Sequence, residues 1–149
     1  MTNLLIERNE YFTVEHARSC NIPGYLIIEP QTPVTYIWKL PRRAQQELGM
    51  LQARCSRAVQ EAVSPMRVYC LTFAEESLNY HCHIFPRSLD ATAQYLEEFP
   101  KQKELIHGPL FFDWARERYR GDVLSNLNIL GVVEKIRTLI AKSKSESPE

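Results

Sequence analysis

The sequence predicts a domain of mixed strands and helices, in which strands dominate the first half of the chain and helices dominate the second. Three observations support this prediction. Four segments before residue 86 are rich in β-branched and aromatic side chains, as strands are. One long helical pattern separates the first two of these segments from the last two. Beyond residue 87 the apolar residues recur at helical spacing, and the length of 149 residues suits a single domain.

The four strand-like segments fall into two pairs. The segments YFTVEH (11–16) and GYLIIEP (24–30) flank the turn-forming residues NIPG, which predicts a hairpin. The segments MRVYCLTF (66–73) and LNYHCHIF (78–85) are joined by the short polar stretch AEES. A connection this short joins antiparallel neighbours, because parallel strands need a much longer crossover.

The helical patterns have recognisable ends. Pro41 suits the first turn of a helix that continues to Val63, and Ser64 and Pro65 end it. Its apolar or small residues recur at spacings of three and four: Ala44, Leu48, Leu51, Cys55, Ala58 and Ala62. Three more helices are predicted over 89–99, 110–119 and 122–142, which form a helical C-terminal extension. The last residues, 143–149, are polar and are predicted to be disordered.

Charge and cysteine content exclude several classes of function. Eighteen basic residues balance eighteen acidic ones, so no overall field draws the protein to nucleic acid or to an anionic membrane. The first residues carry charges where a signal peptide needs an apolar run, and no window approaches the roughly 18 apolar residues of a membrane span. We therefore expect a soluble, cytoplasmic protein. The four cysteines form no CxxC pair, which favours reduced thiols over disulfides or a zinc site.

The stretch SLNYHCHIFPR (77–87) places two of the four histidines of the chain one residue apart in a strand pattern. Side chains alternate along a strand, so Asn79, His81, His83 and Phe85 share one face, and the α-carbons of the two histidines lie about 7 Å apart. Paired imidazoles can act together on one phosphoryl group, one attacking phosphorus and the other binding an oxygen. The alternative interpretation is two structural histidines on a half-exposed sheet face.

Two stretches of the chain resemble the histidine triad family. TFAEESLNYHCHIFPRS resembles the active-site strand, which carries His-x-His-x-His and often ends in Pro-Arg. NIPGYLIIEPQTPV resembles the family's Pro-Gly-His or Pro-Gly-Tyr turn, which leads into an apolar strand and then a proline. Both occur in the family order with the long helix between them. The resemblance covers residues 8 to 90 of a single predicted domain (1–142), and the extension from 90 to 142 has no recognised counterpart.

The resemblance implies an α+β fold, in which an antiparallel sheet of about five strands packs on a long helix and the protein is a homodimer. It implies a nucleotide or dinucleotide substrate and a nucleotidyl-histidine intermediate, with no cofactor and no metal. Carried over by position, His81 is the nucleophile, His83 contacts the phosphate, and Arg87 binds substrate as the arginine after the motif. Arg87 also has a simpler interpretation, which is pairing with an acidic neighbour.

Three positions depart from the family pattern. Asn79 replaces the first histidine of the triad, and it can form hydrogen bonds but cannot exchange a proton at neutral pH. The loop before the motif is short, so Glu75 and Ser77 are the polar residues left near the phosphates. Trp38 follows the Pro-Gly stretch where active relatives often carry a histidine. Its ring either stacks on a nucleobase or packs in a core or interface, and the second is favoured.

Two functions therefore remain open. The first is a hydrolase or nucleotidyl transferase that cleaves a phosphoanhydride or phosphoramidate bond, similar to the dinucleoside polyphosphate (Ap4A-type) hydrolases. The second is a nucleotide-binding or scaffolding protein in which Asn79 marks weak or lost catalysis. Other residues give weaker indications of a functional site. A zinc site built from His16, Cys20 and the histidine pair lacks a second ligand pair of suitable spacing, and the basic run ARERYR (115–120) is predicted to be a solvated helix face.

Overall fold

The computed structural model of the protein describes residues 3 to 146. Within them lie five strands, β1 (Leu5–Arg8), β2 (Phe12–His16), β3 (Leu26–Pro30), β4 (Arg67–Leu71) and β5 (Cys82–Arg87). They also contain four α-helices, α1 (Arg42–Val63), α2 (Leu89–Glu98), α3 (Gly108–Arg118) and α4 (Leu127–Ser145). Two short 3-10 helices span Ile37–Lys39 and Pro100–Gln102. The α+β prediction is confirmed.

All five strands form one antiparallel sheet in the order β1-β2-β3-β5-β4. The predicted hairpin of β2 and β3 and the predicted pairing of β4 with β5 are both present. Strand β5 lies inside the sheet, where His83 is opposite Ile27 of β3 on one side and Leu71 of β4 on the other. The histidine motif therefore stands on an interior strand that neighbours hold on both edges.

The two faces of the sheet are covered by different helices. Helices α1 and α4 cover one face, where Cys82 and Ile84 of β5 join the larger apolar core. Helices α2 and α3 cover the other face, where Phe85 joins a second, aromatic cluster. Every residue of β5 is buried. Because side chains alternate along the strand, Cys82 and Ile84 face the layer of α1 and α4, while His83 points toward α3.

Two predicted boundaries are wrong. Strand β5 begins at Cys82 and not at residue 78, because the preceding backbone bonds to a loop: the N–H of Tyr80 donates to the carbonyl of Val34 (2.7 Å). Helix α4 begins at Leu127 and not at residue 122, because the side chain of Asn126 caps it by accepting the N–H of Ile129.

The predicted disordered tail also begins too early. Helix α4 continues through Ser145, so residues 143 to 145 are helical. Lys144, in this last turn, pairs with the buried carboxylate of Glu7 in β1, which ties the end of the helix to the sheet. Residues 147 to 149 of that predicted tail lie outside the described residues.

The small residues of α1 do not form a free surface. Ala44 and Ala58 are buried in the core of this chain, and Ala62 packs against the same core. The side of helix α1 that carries these alanines faces the sheet and α4. The homodimer thus loses the support that these alanines were expected to give, and it stays a prediction.

Cys20, Cys55 and Cys82 are buried, and Cys70 on the edge strand β4 is exposed. All four are free thiols. No helix among residues 3 to 146 is both long enough and apolar enough to cross a membrane.

The Pro-Gly turn that precedes β3 depends on Gly24. Its φ of +90° is a conformation that side-chain-bearing residues rarely adopt, and a Cβ there would lie 3.2 Å from Val63 of α1. The N–H of Gly24 donates to Nε2 of His16 (3.0 Å), and Nδ1 of His16 donates to the carbonyl of Ala17. His16 thus has both ring nitrogens occupied and fixes the turn that presents Tyr25.

We expect Gly24→Ala to destabilise the fold by about 1–2 kcal/mol, because a left-handed backbone is costly for alanine. Gly49→Ala is the matched control, since a Cβ at this site in α1 meets nothing within 4 Å. It should stabilise the protein by about 0.5–1 kcal/mol through helix propensity. Urea unfolding followed by circular dichroism measures both. Equal effects of the two substitutions would contradict this account of the turn.

Candidate functional site

The two imidazoles of the motif lie together at the start of β5. Their ring centroids are 4.8 Å apart and the ring planes are inclined at 67°. His83 belongs to the strand and is buried, with 7% of its surface exposed, whereas His81 lies one residue before the strand and is half-buried. The prediction that both rings face the same way is confirmed. One ring is accessible and the other is enclosed.

His81 is oriented by backbone groups. Its Nδ1 lies 2.9 Å from the carbonyl oxygen of Asn79, and its own carbonyl accepts a hydrogen bond from Oγ1 of Thr72 (2.6 Å). A carbonyl oxygen only accepts, so Nδ1 of His81 carries a proton. In the neutral imidazole Nε2 then holds the free lone pair. The half-buried ring therefore presents its nucleophilic nitrogen, with the other nitrogen fixed.

His83 is held by aromatic residues of the second cluster. Its Nδ1 is hydrogen-bonded to the hydroxyl of Tyr25 (2.7 Å), and its ring packs edge-on against Phe112 at 5.3 Å. Burial, together with the smaller effect of the nearby charges of His81 and Arg116, lowers the pKa of His83 to about 4. His83 is thus neutral at physiological pH. Burial raises the pKa of Tyr25, which keeps the phenol protonated.

Helix α3 adds a cation that the sequence did not assign to the site. Arg116 was expected to lie on a solvated helix face, but its guanidinium lies 5.0 Å from the ring centroid of Phe112. The His83 ring lies 5.3 Å from that same centroid. The guanidinium carbon of Arg116 and the ring centroid of His83 are therefore separated by no more than the sum of these distances, about 10 Å. The sequence contained one signal for this contact: Phe112 and Arg116 are four residues apart, and such residues are neighbours on a helix face.

Arg87 does not reach the histidines. It lies four residues after His83, about 13 Å along the strand. Its guanidinium donates to Oγ1 of Thr92 (2.9 Å) and lies 6.0 Å from the ring of Phe111. Arg87 is buried, and it ties the end of β5 to α2 and α3. No acidic partner of Arg87 is seen among the described residues, and its binding of substrate stays a prediction.

The remaining predicted polar residues lie in the loop between β4 and β5. Glu75, Ser77 and Asn79 are all exposed. The hydroxyl of Ser77 accepts the N–H of Asn79 at 3.4 Å, a long bond within the loop. Ala74 has a positive φ of 57°, which turns the loop sharply. The neighbour of Glu75, Glu76, is the acidic residue that faces α3, where it pairs with Arg116 at 3.8 Å.

Trp38 is not a core residue. It is 67% exposed and stacks on Tyr36, with ring centroids 4.4 Å apart and planes inclined at 4°. Of the favoured interpretation, a core or interface tryptophan, the core part is wrong, and the interface and stacking roles stay predictions. In the part of the chain that the structure describes, no ring contact joins Trp38 to either histidine.

Two cavities lie away from the histidines. One of about 550 Å³ lies between α1 and α4, near Arg54 and Lys142, and one of about 490 Å³ lies near Asn21 and Asp90. Neither is lined by a histidine. Helix α3 packs on the histidine face through the contact of Phe112 with His83, so that face forms no wall of either cavity. Residues 3 to 146 contain no group of three histidine, cysteine or acidic side chains placed to hold a metal ion.

Comparisons with known proteins identify the fold. No family model and no curated protein matches the sequence. Solved structures do match: a hypothetical histidine triad nucleotide-binding protein of Sulfolobus tokodaii has a TM-score of 0.64 at 14% identity, over 95% of this chain and 85% of that one. A Hit-like protein of Bartonella henselae involved in cell-cycle regulation scores 0.61 at 12% identity, over 93% and 88%.

A zinc-bound histidine triad family protein of Mycobacterium smegmatis scores 0.60 at 14% identity, over 96% of this chain and 87% of the other. These overlaps include α2, α3 and α4, since they span far more than residues 8 to 90. The chain has the fold of histidine triad proteins, and its C-terminal helices fall within that similarity.

The buried, neutral His83 makes stability depend on pH. Its pKa is about 4 in the folded chain and about 6.5 when unfolded. Below pH 6.5 the unfolded chain takes up a proton that the folded chain does not, so stability falls as pH drops from about 6.5 toward 4. His16, whose pKa is also lowered by burial, acts in the same direction.

We expect His83→Gln to reduce the loss of stability between pH 7 and pH 5 by about 2 kcal/mol relative to wild type. Urea unfolding at the two pH values measures this difference. His107→Asn is the control, because His107 is exposed and asparagine can keep its capping bond to the N–H of Leu110. An unchanged pH dependence in His83→Gln would show that His83 is not the group responsible.

Proposed function

We propose that this protein is a nucleotide hydrolase or nucleotidyl transferase in which His81 is the nucleophile. One observation carries the proposal: Nδ1 of His81 donates to the carbonyl of Asn79, which leaves the lone pair of Nε2 free beside a second, neutral imidazole. The histidine triad fold supports it, and the Sulfolobus protein of this fold is described as nucleotide-binding.

The reaction has two steps. The lone pair of Nε2 of His81 attacks the α-phosphorus of a nucleotide, forming a P–N bond while the bond to the leaving group breaks and its electron pair departs with that group. Water or another acceptor then attacks the same phosphorus and breaks the P–N bond. Hydrolysis releases a nucleoside monophosphate and one proton and restores the lone pair of His81.

His83 serves this reaction as a neutral hydrogen-bond donor. In this proposal the protonated hydroxyl of Tyr25 is the donor of its hydrogen bond to Nδ1 of His83, which assigns the proton of the neutral ring to Nε2. That N–H can stabilise the charge that develops on a phosphate oxygen. Tyr25 is thus a positioning residue, since it fixes the tautomer and orientation of His83 from a buried site.

A second candidate function is nucleotide binding with weak or lost catalysis. The observation that favours it is the position of Asn79, which is exposed and makes no side-chain hydrogen bond among the described residues. The site then has two imidazoles and no third group to move a proton at neutral pH. The two candidates differ in whether the covalent intermediate forms.

We expect the wild-type protein to form an acid-labile nucleotide adduct when it is briefly exposed to labelled diadenosine polyphosphate. His81→Asn should form none, because no other side chain presents a free nitrogen at this position. His83→Gln should still form it, about 10²-fold to 10⁴-fold more slowly, which is the usual cost of losing one charge-stabilising group. Mass spectrometry after rapid quenching measures the adduct and locates it.

His107→Asn should label at the wild-type rate, because its capping role lies at the start of α3. Labelling of the His81→Asn variant would disprove the assignment of the nucleophile. Binding of nucleotide by the wild-type protein without any adduct would select the second candidate function.

We expect Asn79→Ala to form the adduct at a rate within about threefold of wild type, because the group that orients His81 is the backbone carbonyl, which alanine retains. Asn79→His adds the third imidazole of the family pattern. A tenfold loss in Asn79→Ala would contradict the backbone role, and a tenfold gain in Asn79→His would show that the asparagine limits catalysis. Both rates come from the same quenched labelling experiment.

A further inference from the structure

Arg116 is the cation that α3 brings to the histidine pair. Its side chain is partly exposed and lies against the ring of Phe112, whose own contact is with His83. An arginine on an aromatic face keeps its donors free at the edge of the plane. The guanidinium can therefore hydrogen-bond to an anion while Phe112 holds it in place.

An anionic group already occupies this position. The carboxylate of Glu76 lies 3.8 Å from the guanidinium of Arg116. Its side chain is 90% exposed, and exposed ion pairs contribute little to stability, so a ligand can displace it. Guanidinium groups bind carboxylates and phosphates with the same fork geometry. Glu76 thus stands where a phosphate oxygen would bind.

The alternative cation, Arg87, is not available for this role. It is buried, its guanidinium is bonded to Thr92, and it lies on the far side of Phe85 from His83. Arg116 and His83, by contrast, lie at most about 10 Å apart through the shared neighbour Phe112. A separation near this upper limit suits a chain of two or more phosphates better than a single phosphate held at the histidines.

We propose that Arg116 is a specificity-determining residue that binds a phosphate beyond the one attacked by His81, displacing Glu76 as it does so. The inference rests on the proposed function and narrows its substrate. A phosphoanhydride substrate such as a dinucleoside polyphosphate has a second phosphate to engage Arg116. A nucleoside phosphoramidate has only the reacting phosphate, so it gains nothing from this residue.

The test compares two substrates in one variant. Arg116→Gln should reduce kcat/KM for diadenosine tetraphosphate by about 10-fold to 100-fold, the scale of one hydrogen bond to a charged group, and change kcat/KM for adenosine 5′-phosphoramidate less than threefold. Arg116→Lys should fall between wild type and Arg116→Gln with the polyphosphate, because it keeps the charge but not the fork. Arg118→Gln, which alters an exposed residue of the same helix, should match wild type.

Glu76→Gln should have the opposite effect on the reaction with the polyphosphate. Removing the competing carboxylate should lower KM for the polyphosphate by about twofold to fivefold, in keeping with a weak surface pair, and leave the phosphoramidate unaffected. Equal losses on both substrates in Arg116→Gln would overturn the proposal, and so would no loss on either. Thermal unfolding of each variant confirms that the compared proteins are folded.

A binding experiment separates this inference from the proposed function. Calorimetry with ADP and AMP needs no turnover: Arg116→Gln should weaken ADP binding about tenfold and leave AMP binding within twofold. If the wild-type protein forms no adduct but shows this difference, the proposed catalysis fails and the phosphate contact stands. If wild type binds ADP no better than AMP, the contact with Arg116 is wrong whether or not the adduct forms.

Discussion

Burial of β5 on both faces is the constraint on which the rest of the structure depends. An interior strand with a histidine on one face and cysteine and isoleucine on the other needs a helix layer on each side. Helices α1 and α4 supply the apolar layer, and α2 and α3 supply the aromatic one. The polar ring of His83 is tolerated inside because the hydroxyl of Tyr25 satisfies it, which offsets part of the cost of removing it from water.

The end of that strand separates the two imidazoles by environment. His83 lies inside the ladder, where burial lowers its pKa and keeps it neutral. His81 lies just outside, where backbone groups orient it but do not enclose it. Two histidines that are only two residues apart thus differ in burial, because desolvation changes steeply across the edge of a core.

The net charge of zero makes the placement of single cations important. With no overall field to attract a phosphate, attraction has to come from local groups. Arg87 and Arg116 illustrate the two uses of a guanidinium in this fold. Arg87 is enclosed and links strand to helix, whereas Arg116 lies over an aromatic ring with its donors near solvent. Only the second arrangement leaves donors for a ligand.

The sequence by itself determined most of the elements and their faces, although it did not predict β1. Period-two alternation placed both imidazoles on one side and Cys82 and Ile84 on the other, and helical spacing located α1 to within one residue. The resemblance of two short stretches identified the fold, and the motif named the histidines. These properties are local, since each depends on the dihedral angles and periodicity of a few neighbouring residues.

Tertiary structure alone decided what surrounds the histidines. The start of β5 at Cys82, the exposure of Trp38 and the approach of Arg116 all depend on contacts between residues far apart in the chain. Local pattern shows that residues 115–118 belong to a helix, but not which sheet face that helix covers or how far it is rotated. The covered face and the rotation follow from the packing of the aromatic cluster of α2 and α3 onto β5. This packing brings together residues that are far apart in the chain and that share no periodic pattern.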